Sequence, residues 1–271
     1  MAATSEPFFF REPDRQLFGC LHAPEGGAAR PAGVVLCAPG GHEAVRAHRA
    51  LRQLAERLAR AGFATLRFDP LGSGDSADGE EPLSLERWCG DISDAMAACR
   101  ARSGVARTAL VGLRLGASQA LRAAVAGGVD TLVMWDPVRS GLEYLEELRG
   151  SQRELVASLP GTGRPQGTGA GRAPDGEELV GFAYRPALVD ELCSLNASTL
   201  SPAVTRRVLL LETRAEGEPA AAGAAGWPEL AERLDARTVT DPRIWREDAD
   251  QALVPHESLA AIEEWLIDVY S

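Results

Sequence analysis

The residues with the most chemical content lie where an apolar run meets a helical pattern. In TALVGLRLGAS, residues 108–118, Gly112 and Gly116 flank Leu113-Arg114-Leu115. Glycines two positions either side of a central residue, between a strand and a helix, have the spacing of a nucleophile elbow, G-x-S-x-G, where a strained turn exposes a nucleophile. That position calls for Ser, Cys or Asp, and here it holds Arg114. A guanidinium stays protonated to pH values above about 12, so Arg114 neither attacks a carbonyl nor accepts a proton near neutrality. Ser118 lies about one helical turn further on and does not replace it. Ser73 and Ser76 sit in GSGDS, whose glycines read as turn formers and which lacks the lysine of a phosphate-binding loop. What the turn offers is binding. The amides of Leu115 and Gly116 open a helix, whose dipole favours anions, and a guanidinium beside them suits a carboxylate or phosphate. A buried arginine without a partner is too costly, so either a ligand or an internal acid must neutralise it. Glu43, Asp69, Asp136 and Glu216 each sit near the carboxyl end of an apolar run and are the internal candidates.

The elements that hold this turn alternate. PFFFR and QLFGCLH flank the turn EPD and predict an antiparallel hairpin. Apolar runs at Val34–Ala38, Phe63–Phe68, Thr108–Gly112, 131–135, 208–212 and 236–240 predict strands. Between them, Ala47, Leu51, Leu54 and Leu58 recur at helical spacing up to Gly62, and Leu85, Trp88, Ile92, Met96 and Cys99 do so behind a Ser84 N-cap. ASQALRAAVAG predicts a small-residue helix, and Leu259, Ile262, Leu266 and Val269 a last one. Continuous apolar strands separated by helices predict an α/β fold, a mostly parallel sheet covered on both faces. The alternation stops between Val138 and about Leu200, which predicts an inserted cap at 138–200 over a core of 1–137 and 201–271. Sites of open α/β sheets lie at the carboxyl ends of the strands, beneath such an insertion. AEGEPAAAGAAG, 215–226, reads as a surface loop.

Composition narrows the function classes. With 271 residues, 45% apolar and 25% charged, the chain has the make-up of a globular protein. Lys and Arg number 28 against 39 Asp and Glu, a net charge of −11, which disfavours nucleic acid and anionic membranes. No run reaches the 18 or so apolar residues of a membrane span, and MAATSEPFFFREPD does not read as a secretory signal. The five cysteines are scattered and unpaired in spacing, which with the other features predicts a cytoplasmic protein. His22, His42, His48 and His256 form no zinc-like cluster, so no metal is expected, and no motif calls for a cofactor. A homo-oligomer is neither required nor excluded.

Several segments together carry a resemblance: RQLFGCLHAP, PGGHEAVRAHRALRQLAERLARAGFATLRFDPLGSGDS, VGLRLGAS, MWDPVRSGLEYLEEL and GFAYRPALVDEL. The chain resembles α/β-hydrolase-fold proteins of the serine aminopeptidase S33 type. Through GLRLGA and WDPVRSG it is most similar to the hydrolase-like proteins associated with exosortase A systems, a group that includes members with Arg at the elbow. The resemblance implies a triad of nucleophile, acid and histidine. Its acid position falls on Glu216, with Glu212 and then Asp136 as alternatives. Its histidine belongs in a loop that reads TDPRIWREDADQAL, which has none. His256, just beyond, follows Pro255 at a helix start and is either an ordinary first-turn residue or a displaced base. Trp245 is expected in the space of the imidazole. Gly41 and His42 fall where the fold supplies its second oxyanion donor, with Leu115 supplying the first. The leading expectation is a pseudoenzyme with Arg114 in place of the nucleophile, binding a small acyl or anionic ligand or serving as an accessory factor in a biosynthetic pathway. The alternatives are an esterase, thioesterase or lyase/isomerase working without a covalent serine, with His256 or His42 activating water, and a protein-interaction scaffold. A triad lacking one member keeps about 10³–10⁴-fold catalysis elsewhere, so the enzyme reading stays open.

Overall fold

The computed structural model describes residues 5–25, 29–77, 83–158, 176–196, 205–218, 223, 227, 233–246 and 253–271. The predicted hairpin forms from β1 (Ser5–Phe10) and β2 (Leu17–His22), with Pro13–Arg15 as a single 3-10 turn between them. The sheet continues with β3 (Ala32–Cys37), β4 (Thr65–Phe68), β5 (Arg107–Leu113), β6 (Thr131–Trp135), β9 (Arg207–Arg214) and β10 (Leu234–Thr240). Its eight strands run in the order β1-β2-β4-β3-β5-β6-β9-β10. From β4 through β10 the pairings are parallel, and β2 is antiparallel to both of its neighbours. β5, which carries the elbow, lies inside the sheet between β3 and β6.

Side chains of successive strand residues enter opposite layers. Val35, Cys37 and Leu110 join one buried cluster, while Val34, Leu36, Ala109, Val111 and Leu113 join the other. The first is covered by α2 (Leu85–Ser103) and α3 (Leu115–Gly127), through Trp88, Ile92, Met96 and Leu121. The second is covered by α1 (Gly41–Arg60) and α6 (His256–Val269), through Leu51, Leu54, Leu58, Leu259, Ile262 and Leu266. Ser84 caps α2 as its position predicts, its Oγ accepting from the Arg87 amide at 3.1 Å. The helix over α1 begins at Gly41, six residues ahead of the first periodic apolar position.

Between β6 and β9 the chain leaves the sheet to form α4 (Gly141–Ser158), a hairpin of β7 (Glu177–Leu179) and β8 (Phe182–Tyr184), and α5 (Pro186–Ser194). Ser140 bridges Asn196 and the Gly141 amide donates to Leu195, so the two ends of this stretch meet. Leu145, Leu148, Leu179, Leu188 and Leu192 share a buried cluster with Trp88 and Leu115. The hairpin was not foreseen, because strands of three residues are too short to show alternation. The glycine- and proline-rich loop at 160–176 lies outside the described residues except for Gly176, and the soft stretch 215–226 is described only at 215–218 and 223. Among the described residues no helix is long and apolar enough to cross a membrane.

Candidate functional site

β5 ends at Leu113 and α3 begins at Leu115, leaving Arg114 alone in the turn with φ 54° and ψ −124°. A non-glycine residue in such a conformation stores roughly 1–3 kcal/mol of strain, so its surroundings must impose it. The Arg114 amide donates to the Trp135 carbonyl at 2.9 Å, and its carbonyl accepts from Ala117 at 3.0 Å. The flanking glycines are needed for close approach. A Cβ on Gly112 would strike the Ala117 backbone, and one on Gly116 the carbonyls of Cys37 and Ala38. The elbow is therefore built in full around a residue that carries no nucleophile.

The guanidinium is held by two carboxylates and two aromatic rings. Its Nε donates to Glu43 Oε1 at 3.0 Å, and Nη2 donates to Glu147 Oε2 at 2.5 Å. The rings of Tyr144 and Trp245 lie 5.6 and 5.3 Å from it, at cation–π distance. Glu43, only 3% exposed, also accepts from the Tyr144 hydroxyl at 3.1 Å. Burial pushes the Glu43 carboxyl up, and Arg114 and the Tyr144 hydroxyl pull back without cancelling it. Burial alone would lower the Arg114 pKa, but the facing Glu43 and Glu147 carboxylates outweigh it and raise the value further.

Of the acids expected beside Arg114, Glu43 pairs with it, while Asp69, Asp136 and Glu216 form no ion pair with it. Asp69 turns inward to its own loop, Oδ2 accepting from the Asp75 amide at 3.1 Å. Asp136, at the end of β6 with φ 44°, accepts from the Thr213 amide through Oδ1 at 2.8 Å. Its Oδ2 is buried without a hydrogen-bond partner, and burial pushes its pKa up to about 7 against the pull of Thr213, Arg114 and Arg243. Glu216 is exposed in the turn after β9, whereas Glu212 is buried in that strand and pairs with Arg139. His256 is exposed at the first position of α6. His42 is half-buried, its pKa lowered to about 4 by burial and by the charges of Arg46 and Arg114, so it is neutral near pH 7. Ser118 and Ser76 have structural partners, Oγ donating to Val138 O at 2.6 Å and to Asp69 O at 2.5 Å respectively.

Sequence reasoning missed Glu147 and Tyr144 as contacts of Arg114. They lie three residues apart on α4, a spacing that puts them on one helix face. Nothing local tied that face to residue 114.

Two cavities adjoin the elbow. A cleft of about 200 Å³ is lined by Arg114, Asp136, Arg139, Glu143, Glu147 and Glu212, among others. A larger, mainly apolar cavity of about 670 Å³ is lined by Gly40, Gly41, Trp88, Leu115, Phe182 and Leu188, with Ser73, Asp69 and His48 also in its wall. Tyr144 lines the first cavity and Tyr184 the second.

No protein-family model and no curated protein sequence matches the chain. Solved structures do. Est1E from Butyrivibrio proteoclasticus aligns over 97% of this chain and 98% of its own with a TM-score of 0.64 and 15% identity. The esterase PF2001 of Pyrococcus furiosus covers 99% of this chain and 92% of its own with a TM-score of 0.63, also at 15% identity. A proline iminopeptidase of Mycobacterium smegmatis gives 0.62 at 14% identity, over 97% of this chain and 98% of its own. At such identities the likeness is one of architecture. The eight-stranded sheet with its antiparallel second strand, the helices on both faces and these full-length matches give the chain the α/β-hydrolase fold.

Proposed function

We propose that this protein binds a small acyl ligand without hydrolysing it, with α4, β7, β8 and α5 acting as a cap over the ligand. The observation that carries the reading is the engagement of Arg114. The residue occupies the nucleophile's position in the nucleophile's backbone conformation, yet its guanidinium is committed to Glu43 and Glu147 and stacked against Tyr144 and Trp245. The ring of Trp245, 5.3 Å from that guanidinium, supports the expectation that it stands in the space of a catalytic imidazole, and His256, the histidine nearest to it in sequence, is exposed. Neither nucleophile nor base is then available for an acyl-enzyme. The larger cavity, flanked by Gly41 and Leu115, supplies an apolar volume for an acyl group. An anion reaching Arg114 would have to displace Glu147, the more exposed of its two partners. A role as an accessory factor in a biosynthetic pathway rests on the resemblance to exosortase-associated proteins alone.

A fluorophosphonate probe tests this reading. The folded protein should be labelled no more than its heat-denatured control, while butyramide, a neutral acyl compound, should shift the resonances of Leu115 and Phe182. Stoichiometric labelling of any serine refutes it. The second reading, an enzyme without a covalent serine, is favoured by one feature, the carboxyl of Asp136 with a pKa near neutrality beside Arg114. Slow turnover of p-nitrophenyl esters lost in Asp136→Asn is its signature.

A further inference from the structure

The cleft beside the elbow has an unbalanced lining. Asp136, Glu143, Glu147 and Glu212 face it together with Arg114 and Arg139. Both guanidiniums are engaged, Arg114 with Glu43 and Glu147 and Arg139 with Glu212. Asp136 and Glu143 remain. Asp136 is fixed in place: its amide donates to Leu211 O at 2.8 Å, and its Oδ1 accepts from the Thr213 amide at the same distance. Its φ of 44° lies in the left-handed region, which Asp and Asn enter most readily among residues with a side chain. Asp136 lines the cleft, and its Oδ2 is buried without a hydrogen-bond partner. A buried acceptor left unsatisfied is costly, and a donor from a ligand removes the cost. Among the described residues no group of three or more His, Cys, Asp or Glu side chains is placed to hold a metal ion.

We propose that this cleft is a binding site for a small organic cation, a primary ammonium, which donates a hydrogen bond to Asp136 Oδ2 and is balanced by the carboxylate of Glu143. The inference rests on the reading of a non-covalent ligand protein and adds the head-group chemistry. Its charge preference is opposite to that expected from an arginine at the elbow, because that arginine is already neutralised. Binding is linked to protons. The groups facing Asp136 are Arg114 from the elbow, Glu212 and Thr213 from β9, Arg139, Glu143, Tyr144 and Glu147 on the α4 side, and Arg243 beyond β10. Asp136, pushed up to about 7, must ionise to meet an ammonium that stays charged throughout. Affinity therefore rises about tenfold from pH 6 to pH 8, the change in the ionised fraction of such a group.

The test is titration of the full chain with n-butylammonium chloride and with sodium butyrate at constant ionic strength, followed by calorimetry and amide resonances of residues 136–147. The expected result is ammonium binding at least tenfold tighter than butyrate at pH 8, weakening on acidification. Asp136→Asn accepts the left-handed conformation and can keep the Thr213 contact, and should abolish both the preference and its pH dependence. Glu143→Gln alters an exposed residue and should weaken ammonium binding about two- to threefold with the fold intact. Equal or tighter binding of butyrate, no binding of either ion, or ammonium affinity unchanged in Glu143→Gln overturns the proposal, the last deciding the matter even if Asp136→Asn fails to fold. Fluorophosphonate labelling together with ammonium binding would sink the non-hydrolytic reading and leave the cleft assignment standing.

Discussion

Arg114→Ser creates the standard elbow sequence, and its effect on stability follows from Glu43. That carboxylate is 3% exposed, so losing its guanidinium partner strands a charge in the protein interior. Removing one member of a buried pair costs roughly 3–5 kcal/mol. The contact with Glu147 adds little, because that side chain is 40% exposed and such pairs are worth about 0–1 kcal/mol. For a chain of this size ~1 kcal/mol moves Tm by about 2–4 °C, so the variant should melt ~6–20 °C lower at pH 8. The deficit depends on pH with a definite sign. Glu43 has a raised pKa in the folded state, so between its unfolded value and that raised value the native protein holds a proton the unfolded chain has released. Stability falls as pH rises across that window. Without Arg114 the folded value climbs further, so the gap to the parent widens from pH 5 to pH 8. Replacing the carboxylate as well, in Arg114→Met with Glu43→Gln, should recover most of the loss, since Gln can still accept from Tyr144. Calorimetric melting of the three proteins at both pH values is the assay. A deficit below about 1 kcal/mol at pH 8, or one equal at pH 5, refutes the account of Arg114 as a buried structural ion. The same variant should show no fast esterase activity, for lack of a base beside the new hydroxyl.

Three further expectations concern the frame. Gly116→Ala places a methyl against the backbone carbonyls of Cys37 and Ala38 and should cost at least ~3 kcal/mol, whereas Gly90→Ala, with nothing within 4 Å, should stabilise α2 by about 0.5–1 kcal/mol; denaturant midpoints report both. Asp241→Ala removes the carboxylate that accepts from the Ser258 amide at 2.6 Å and its hydroxyl at 2.8 Å, leaving a first-turn donor of α6 buried and unmet, at a cost of about 1–3 kcal/mol in urea unfolding. Asp136→Asn should raise Tm at pH 8 and not at pH 4, because the parent loses stability as pH rises from the unfolded carboxyl range through about 7.

The strands and helices of the core were legible because each rests on local signals. Apolar runs such as TLVMW have no alternative to burial on both faces, and Ser84 lies one residue before a periodic pattern, where its side chain caps the helix. Even the elbow could be read, since Gly112 and Gly116 mark the close approaches that the turn demands. The partners of Arg114 were legible only in part. Glu43 could be named because it follows β3 and so belongs at the sheet's carboxyl edge, as do Asp69 and Asp136, and nothing in the sequence ranks the three. The ranking comes from where each loop turns its side chain: Asp69 back to Asp75, Asp136 to Thr213, Glu43 inward to Arg114. Glu147 was invisible for a different reason. Its helix lies in the stretch between β6 and β9, whose Leu145, Leu148 and Leu192 share a buried cluster with Trp88 and Leu115, a long-range association without periodic trace.

An arginine at the centre of the elbow has consequences for the frame around it. A cation at the start of α3 opposes the helix dipole, which favours negative charge there. The strained backbone at 114 adds its own cost. Both must be offset from outside the turn, and the side chains that do so come from three separate places: Glu43 on α1, Tyr144 and Glu147 on α4, and Trp245 in the turn after β10. Through these contacts the elbow ties α4 and the turn after β10 to the sheet. The same commitment fixes the chemistry open to the adjoining cleft. With the guanidinium neutralised by its own carboxylates, the remaining negative charge and the unpartnered Oδ2 of Asp136 govern what can enter, and the position that looks cationic in the sequence lies beside a pocket that is acidic in space.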